Sequence, residues 1–446
     1  MIINRHKLER FHSDRSSRLI LSAFEAAIDS VKPAPLVKRA VKFNNRQLIV
    51  RDIYDNVARL REFDRVYVVG AGKAAAGMAY TLCSILHNRV AAGAITVPYG
   101  TKAKIKGVLV MQASHPIPDK AGIEGTKNIL SILKKADQND LVIVLISGGG
   151  SALMPLPAPG VSLADKQKIT HSLLRSGASI YEINAVRKHL SAVKGGQLLR
   201  HMNESCKVVS LILSDVIGDD LGIIASGPTS PDSSTFGDTL NILRKYRIDP
   251  PDTAAKLIAK GVEGTVEETP KPQDLVFSRV YNMLIGNNAI ACKAATCYLK
   301  KRGMKAVHLG SEFDSEAKEF GAFLARLTLD FGRKHFAVVA GGETTVRLDR
   351  RKNGLGGRNQ EAALACLAHL YRQDVAVGCM ATDGIDGNSD AAGALVSPKT
   401  IVLAKKMDLQ KYLDMHDSYH ALKKLHSLIF TRYTGTNVND VSICMS

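Results

Sequence analysis

At 446 residues the chain exceeds one ordinary core, so two domains are the expectation. Hydrophobic residues make up 45% and charged residues 23%, an ordinary globular composition, and no apolar run approaches the roughly 18 residues of a membrane span. The formal net charge of +18 suits either nucleic acid or acidic small molecules, but aromatics make up only 5%, Trp is absent and no zinc-finger, RNP or KH signature occurs, which argues against nucleic acid as the main ligand.

The N-terminal residues mix both signs of charge (Arg5, Lys7, Glu9, Arg10, Asp14, Arg15) and lack the apolar core and cleavage site of a signal peptide. Seven scattered cysteines form no CxxC pair, which argues for a reducing compartment and against a zinc site. A cytoplasmic protein without membrane attachment is expected; assembly as a homodimer is left open.

Residues 15–60 read as helices broken near Pro33 and Pro35, with Leu19, Ala23, Ala26, Ala27 and Val31 at helical spacing. Strand-like runs follow at 66–69, 94–97, 108–112, 141–146 and 208–213, separated by helical segments such as 74–86 and 122–135. That alternation implies βαβ units around a mostly parallel, doubly wound sheet. Residues 228–274, with Pro250-Pro251, Pro270 and Pro272, read as a connection between domains containing some helix. A second alternating region begins near Asn282, with strands at 282–286, 306–309, 336–340 and 376–381. The expected division is an N-terminal Rossmann-like domain, 1–240, and a C-terminal α/β/α domain, 241–446.

Gly and polar clusters stand where these strands end, the place where open α/β sheets bind ligands. Ser147-Gly148-Gly149-Gly150-Ser151 follows the apolar run 141–146 and can present a concave row of backbone N–H groups to an anion. Gly70-Ala71-Gly72-Lys73 follows 66–69 and opens an Ala-rich helix. It nearly matches the dinucleotide fingerprint, yet the next strand, Ile95-Thr96-Val97-Pro98-Tyr99, ends without the acid that would hold a ribose, and the P-loop pattern fails around Lys73. What remains is an ammonium beside the positive end of a helix.

His115, in Ser114-His115-Pro116, could touch substrate or carry a proton. Arg187, in 183–196, is a candidate carboxylate anchor. Ser214-Asp215 and Asp219 close the run 208–213, where carboxylates suit Mg²⁺ or a general base. In the second region Gly341-Gly342-Glu343 and Gly356-Gly357-Arg358-Asn359 place a guanidinium suited to a transferring phosphoryl group. Asp383, Asp386 and Asp390 could hold hydrated Mg²⁺. Thr434–Asp440 adds polar groups with no evident structural use.

Taken together, GAGKAAAGMA, SHPIPD, LISGGGSALMPLP, INAVRKHLSAVKGGQL, SDVIGDDLGIIASGPTSPD, GGETTV, GGRNQE, TDGIDGNSDAAGA and TGTNVND resemble the class II glycerate 2-kinases in matching order over nearly the whole chain. The resemblance implies a DUF4147-type domain, a MOFRL-type domain and an active site in a cleft between them. It implies ATP-dependent phosphorylation of D-glycerate to 2-phosphoglycerate, with the family's essential Lys on Lys73 and its essential Arg on Arg358. Some members carry the label hydroxypyruvate reductase, but anion cradles, cations and metal-binding carboxylates suit phosphoryl transfer better than hydride transfer. The expected assignment is Lys73, Arg358 and Asp215 as catalytic groups. ATP is assigned to Gly70, Gly72, Ser147, Gly148, Gly149, Gly150, Ser151, Gly341, Gly342, Glu343 and Asn359. D-glycerate is assigned to Arg187, Ser214 and His115, and Mg²⁺ to Asp219, Asp383 and Asp386.

Overall fold

The computed structural model describes every residue except 45, 331–334, 349–353 and 372–373. It divides into two compact units, one of residues 36–285 and one combining residues 1–35 with 286–446.

In the 36–285 unit, β1 (Val41–Asn44), β2 (Gln47–Arg51) and β3 (Val57–Leu60) form a small antiparallel sheet. This region was expected to be helical. Val41, Leu48, Val50, Ala58 and Leu60 are buried along short alternating runs, a period-two pattern that the helical spacing of the preceding residues obscured. The main sheet holds β4 (Val66–Ala71), β5 (Val90–Pro98), β6 (Val108–Ala113), β7 (Leu141–Ile146), β8 (Lys207–Leu213) and β9 (Val280–Gly286), in the order β6-β5-β4-β7-β8-β9. The pairs from β6 through β8 are all parallel. β4 and β7 are buried at every position, as central strands covered on both faces must be. The chain winds from β4 outward through β5 and β6, then returns to β7 and winds the other way. The winding therefore reverses between β4 and β7.

The helices Leu163–Arg175, Ile180–His189, Phe236–Lys245 and Asp252–Val262 share a satellite core of Ile169, Leu173, Ile183, Val186, Phe236, Leu243 and Ile258. A boundary at 240 would cut one of these helices, and the Pro-rich stretch 228–274 belongs to this unit instead of linking two. β9 is likewise the sixth strand of this sheet and not the first of the next, tied in by Asn282, whose side chain bonds both Oγ1 and the carbonyl of Thr229.

In the other unit β10 (Lys305–Phe313), β11 (Phe336–Gly342), β12 (Ala376–Ala381), β13 (Gly393–Val396), β14 (Leu428–Ile429) and β15 (Asp440–Met445) form a mixed sheet, ordered β10-β11-β15-β12-β13-β14. Only β10 and β11 are parallel among its registered pairs; the C-terminal strand β15 enters the middle, antiparallel to both neighbours. The helices Ala317–Asp330 and Arg358–His369 pack together over this sheet. The helix Arg15–Ser30 also belongs here. Its buried stripe of Ile20, Leu21, Ala23, Phe24, Ala27 and Ile28 lies against β12 and the helix Asn288–Lys301, with Ile20 and Phe24 packed at Gly378.

Candidate active site

Two loops meet where the winding reverses. The loop after β4 is laminated onto the loop after β7: the Lys73 N–H donates to the Gly148 carbonyl (2.9 Å), and the Ala74 N–H donates to Ser147 Oγ (3.1 Å). Gly72 sits at φ +140°, and a Cβ there would lie 2.1 Å from Ser147 Oγ, so only glycine permits this contact. Gly149 sits at φ +84°, where a Cβ would lie 2.9 Å from the His115 ring and 3.5 Å from the Lys73 stem. The bare backbone of Gly149, the His115 imidazole and the Lys73 side chain therefore converge, beside the helix Ala75–Leu86, which has no side-chain cap. A half-buried glycine backbone, a cation and a helix start without a side-chain cap, in the crevice of a doubly wound sheet, make a cradle that fits a phosphate group.

The fit distributes roles more narrowly than the sequence suggested. Gly70 is packed on β7, and Ser147 is buried with its hydroxyl spent on Ala74, so both build the cradle and do not face a ligand. Ser214 is also buried; its hydroxyl closes a local turn onto Val216. Asp215, half-buried, stands at the carboxyl end of β8, and Asp219 accepts a hydrogen bond from the exposed Tyr54 hydroxyl (3.1 Å). Ser151 bonds the Ser226 hydroxyl (2.9 Å), which in turn donates to Asn184 Oδ1 (2.8 Å), on the helix that carries Arg187. Sequence reasoning named neither Asn184 nor Ser226 as a site residue.

The 286–446 part carries its own polar cluster. Arg358 opens a helix and is clamped by the C-terminal strand: its Nε lies 2.5 Å and its Nη2 3.2 Å from the two Asp440 oxygens, while Nη1 lies 3.0 Å from Glu343. Burial would lower the guanidinium pKa, but Asp440 and Glu343 together raise it. Asp440 is the partner that the sequence did not assign. Asn359 and Gln360 each donate a backbone and a side-chain N–H to the Asp386 carboxylate. Asp386 thus caps the helix Arg358–His369 from across a turn. Burial, reinforced by Asp440, pushes its pKa up to about 6 against those donors. With both oxygens so engaged, Asp386 does not fit a metal ligand, and the Asn359 amide is committed to it. Gly341 packs edge-on against Asn288 and Cys292.

Among the described residues no group of three or more His, Cys, Asp or Glu side chains could hold a metal ion. Asp219 belongs to the 36–285 unit, and Asp383 and Asp386 to the other. Asp383, half-buried at the end of β12, accepts from the Ile385 N–H at 3.1 Å. All seven cysteines are unpaired, and among the described residues no helix is long and apolar enough to cross a membrane.

The reversal-point cradle and its cation make this a protein of the doubly wound α/β class with a site suited to a phosphate group. Comparison with known proteins sharpens this. Residues 19–259 match the family described as a domain of unknown function, DUF4147, and residues 336–440 match the MOFRL family. The chain is 41% identical to a Pyrococcus horikoshii glycerate 2-kinase, covering 94% of each chain. It is 40% identical to a Thermotoga maritima D-glycerate 2-kinase, covering 92% of this chain and 98% of that one. The crystal structure of a Thermotoga maritima glycerate kinase superposes with a TM-score of 0.83 at 38% identity, covering 96% of this chain and 99% of the other. A putative hydroxypyruvate reductase of Agrobacterium vitis is 37% identical, covering 96% and 94%. The chain belongs to the glycerate 2-kinase family.

Proposed function

We propose that this chain transfers the γ-phosphoryl group of ATP to the 2-hydroxyl of D-glycerate, releasing ADP and 2-phosphoglycerate. The observation that carries the reading is the convergence of Gly149, Lys73 and His115 where the sheet winding reverses. The Gly149 backbone N–H and the Lys73 ammonium hold the nucleotide phosphates. The glycerate O2 attacks the γ-phosphorus as the bond to the β-phosphate oxygen breaks. Lys73 stabilises the charge on the moving phosphoryl group. Asp215 takes the hydroxyl proton. His115, with its ring against Gly149, orients the acceptor.

Asp383 or Asp215 would lend one carboxylate to a Mg²⁺ ion, whose chemistry would be to offset the charge of the ATP phosphates, since Mg²⁺ commonly takes one or two protein carboxylates besides phosphate. A nicotinamide reductase has less support. β5 runs Val90–Pro98 and ends in Ile95-Thr96-Val97-Pro98, with no acid to hold a ribose.

The test is ADP formation by purified protein with ATP, Mg²⁺ and D-glycerate, followed by ³¹P NMR of the product. Glycerate-dependent ADP and a 2-phosphoglycerate resonance are expected. ADP formation no greater than without glycerate sinks the reading; a 3-phosphoglycerate product overturns the regiochemistry. Hydroxypyruvate-dependent NADH oxidation would favour the reductase.

A further inference from the structure

Three cations of the 36–285 unit are drawn into its interior without an anion. Lys166, on the helix Leu163–Arg175, is 7% exposed, and its Nζ is buried without a hydrogen-bond partner. Lys194 is 1% exposed and has one partner for its Nζ, the Ala225 carbonyl at 3.1 Å. Arg187 is half-buried, and neither a hydrogen bond nor an ion pair engages its guanidinium among the described residues. Burial, then the Lys194 and Arg187 charges, depress the Lys166 pKa, and burial, then Arg187, brings Lys194 down to about 7.

The neighbours make the contrast plain. Lys188, next to Arg187 in sequence, lies 3.2 Å from Asp232, and His189 lies 2.9 Å from Glu268. The fold supplies carboxylates to the buried basic side chains Lys188 and His189 on this helix, and withholds them from these three. An unpaired buried charge costs free energy that a stable core would avoid. The cost is understandable where a ligand is to supply the missing charge. The cluster also adjoins the proposed catalytic loop. Lys194 is bonded to Ala225, Ala225 packs on Gly150, and Ser226 links Ser151 to Asn184, three residues before Arg187.

We propose that Lys166, Lys194 and Arg187 form the pocket that binds the carboxylate of the acceptor acid. The pocket extends the single anchor Arg187 to a three-cation site, and it rests on the glycerate kinase reading above. A carboxylate there would receive the paired N–H groups of Arg187 and the two ammonium groups, with Ser151 at its edge. A nucleotide phosphate is the rival oxyanion, and the test separates the two.

The experiment uses the full chain with Lys166→Met, which keeps bulk and removes charge. The apparent KM for D-glycerate is expected to rise about tenfold or more, the scale of one charge-assisted hydrogen bond, while the KM for ATP stays within about twofold. Ligand-free Tm is expected to hold or rise, because the variant removes an unpaired buried charge; a merely structural lysine would lower it. A glycerate KM within about twofold of the parent overturns the proposal. So does a raised ATP KM with glycerate unaffected, which assigns the pocket to nucleotide phosphate. Lys194→Met gives the same reading should Lys166→Met fail to fold. If the parent shows no glycerate-dependent turnover, the proposed function fails on its own. Calorimetric titration of parent and variants with D-glycerate then decides the pocket: binding that the variants lose supports it, and binding absent from the parent or unchanged in the variants overturns it.

Discussion

Arg358 is positioned before any substrate arrives. Two of its nitrogens are spent on Asp440 and a third on Glu343, so its orientation is fixed by the strand that ends the chain. A guanidinium that need not reorganise stabilises developing charge more effectively than a mobile one. Lys73→Ala and Arg358→Ala are each expected to lower kcat by about 100-fold or more, measured by ADP release; near-normal turnover in either removes that role. Asp440→Asn keeps the shape and weakens the clamp, with an expected loss of about tenfold in kcat. Combined with Arg358→Ala it should cost little more than Arg358→Ala alone, because both act through one group. Fully additive losses would assign Asp440 a separate function. The guanidinium was legible in Gly356-Gly357-Arg358-Asn359, but its partner was not. Asp440 lies 82 residues further on, and only the pairing of β15 with β11 brings it to Arg358.

The helix Ile180–His189 shows the same limit at the scale of an element. Its start is local, and a sequence carries local chemistry well. Ser179 and Glu182 form a reciprocal capping box, and Glu182 also receives Lys245 and Tyr246. Its basic last turn, Arg187-Lys188-His189, offers Arg187 as a carboxylate anchor in sequence but does not say which of the three basic groups is already paired. The structure splits that turn into two paired groups and one unpaired, and Asp232 and Glu268, which make the difference, come from later segments. The cap also yields a pH prediction. The hydrogen bond from Lys245 and the Ser179 backbone N–H hold the Glu182 pKa at about 2, below its ordinary 4.5. A carboxyl whose pKa is depressed by folding contributes stability above its unfolded value and loses it as pH falls through the folded one. Glu182→Gln should therefore cost about 1 kcal/mol at neutral pH, the scale of a helix cap. The gap from the parent should close as pH falls from about 4.5 to about 2. Denaturant unfolding across that range checks it, and a gap that persists at acid pH would contradict the capping role.

For the whole molecule, the parallel sheet was legible because β4 and β7 are unbroken apolar runs and the glycines stand directly after them. The partition of the chain was not. The amphipathic stripe of Arg15–Ser30 announces a helix that covers something, but a stripe carries no address. Its target is β12 and the helix Asn288–Lys301, more than 250 residues away, as the Ile20 and Phe24 contacts at Gly378 make concrete. Thr436 Oγ1 adds a hydrogen bond to the Val31 carbonyl at 2.6 Å. Full burial of Ile20, Leu21, Phe24 and Ile28 is worth about 1.5–3 kcal/mol for each large side chain, so the four together are comparable to the roughly 5–15 kcal/mol that stabilises a whole domain. Residues 286–446 expressed alone should therefore lack a cooperative unfolding transition, and a synthetic peptide of residues 1–35 added in trans should restore one. Near-ultraviolet circular dichroism and a thermal melt, each with and without peptide, measure this. A cooperative transition in the fragment alone, unmoved by the peptide, would show that the helix decorates this unit and does not complete its core.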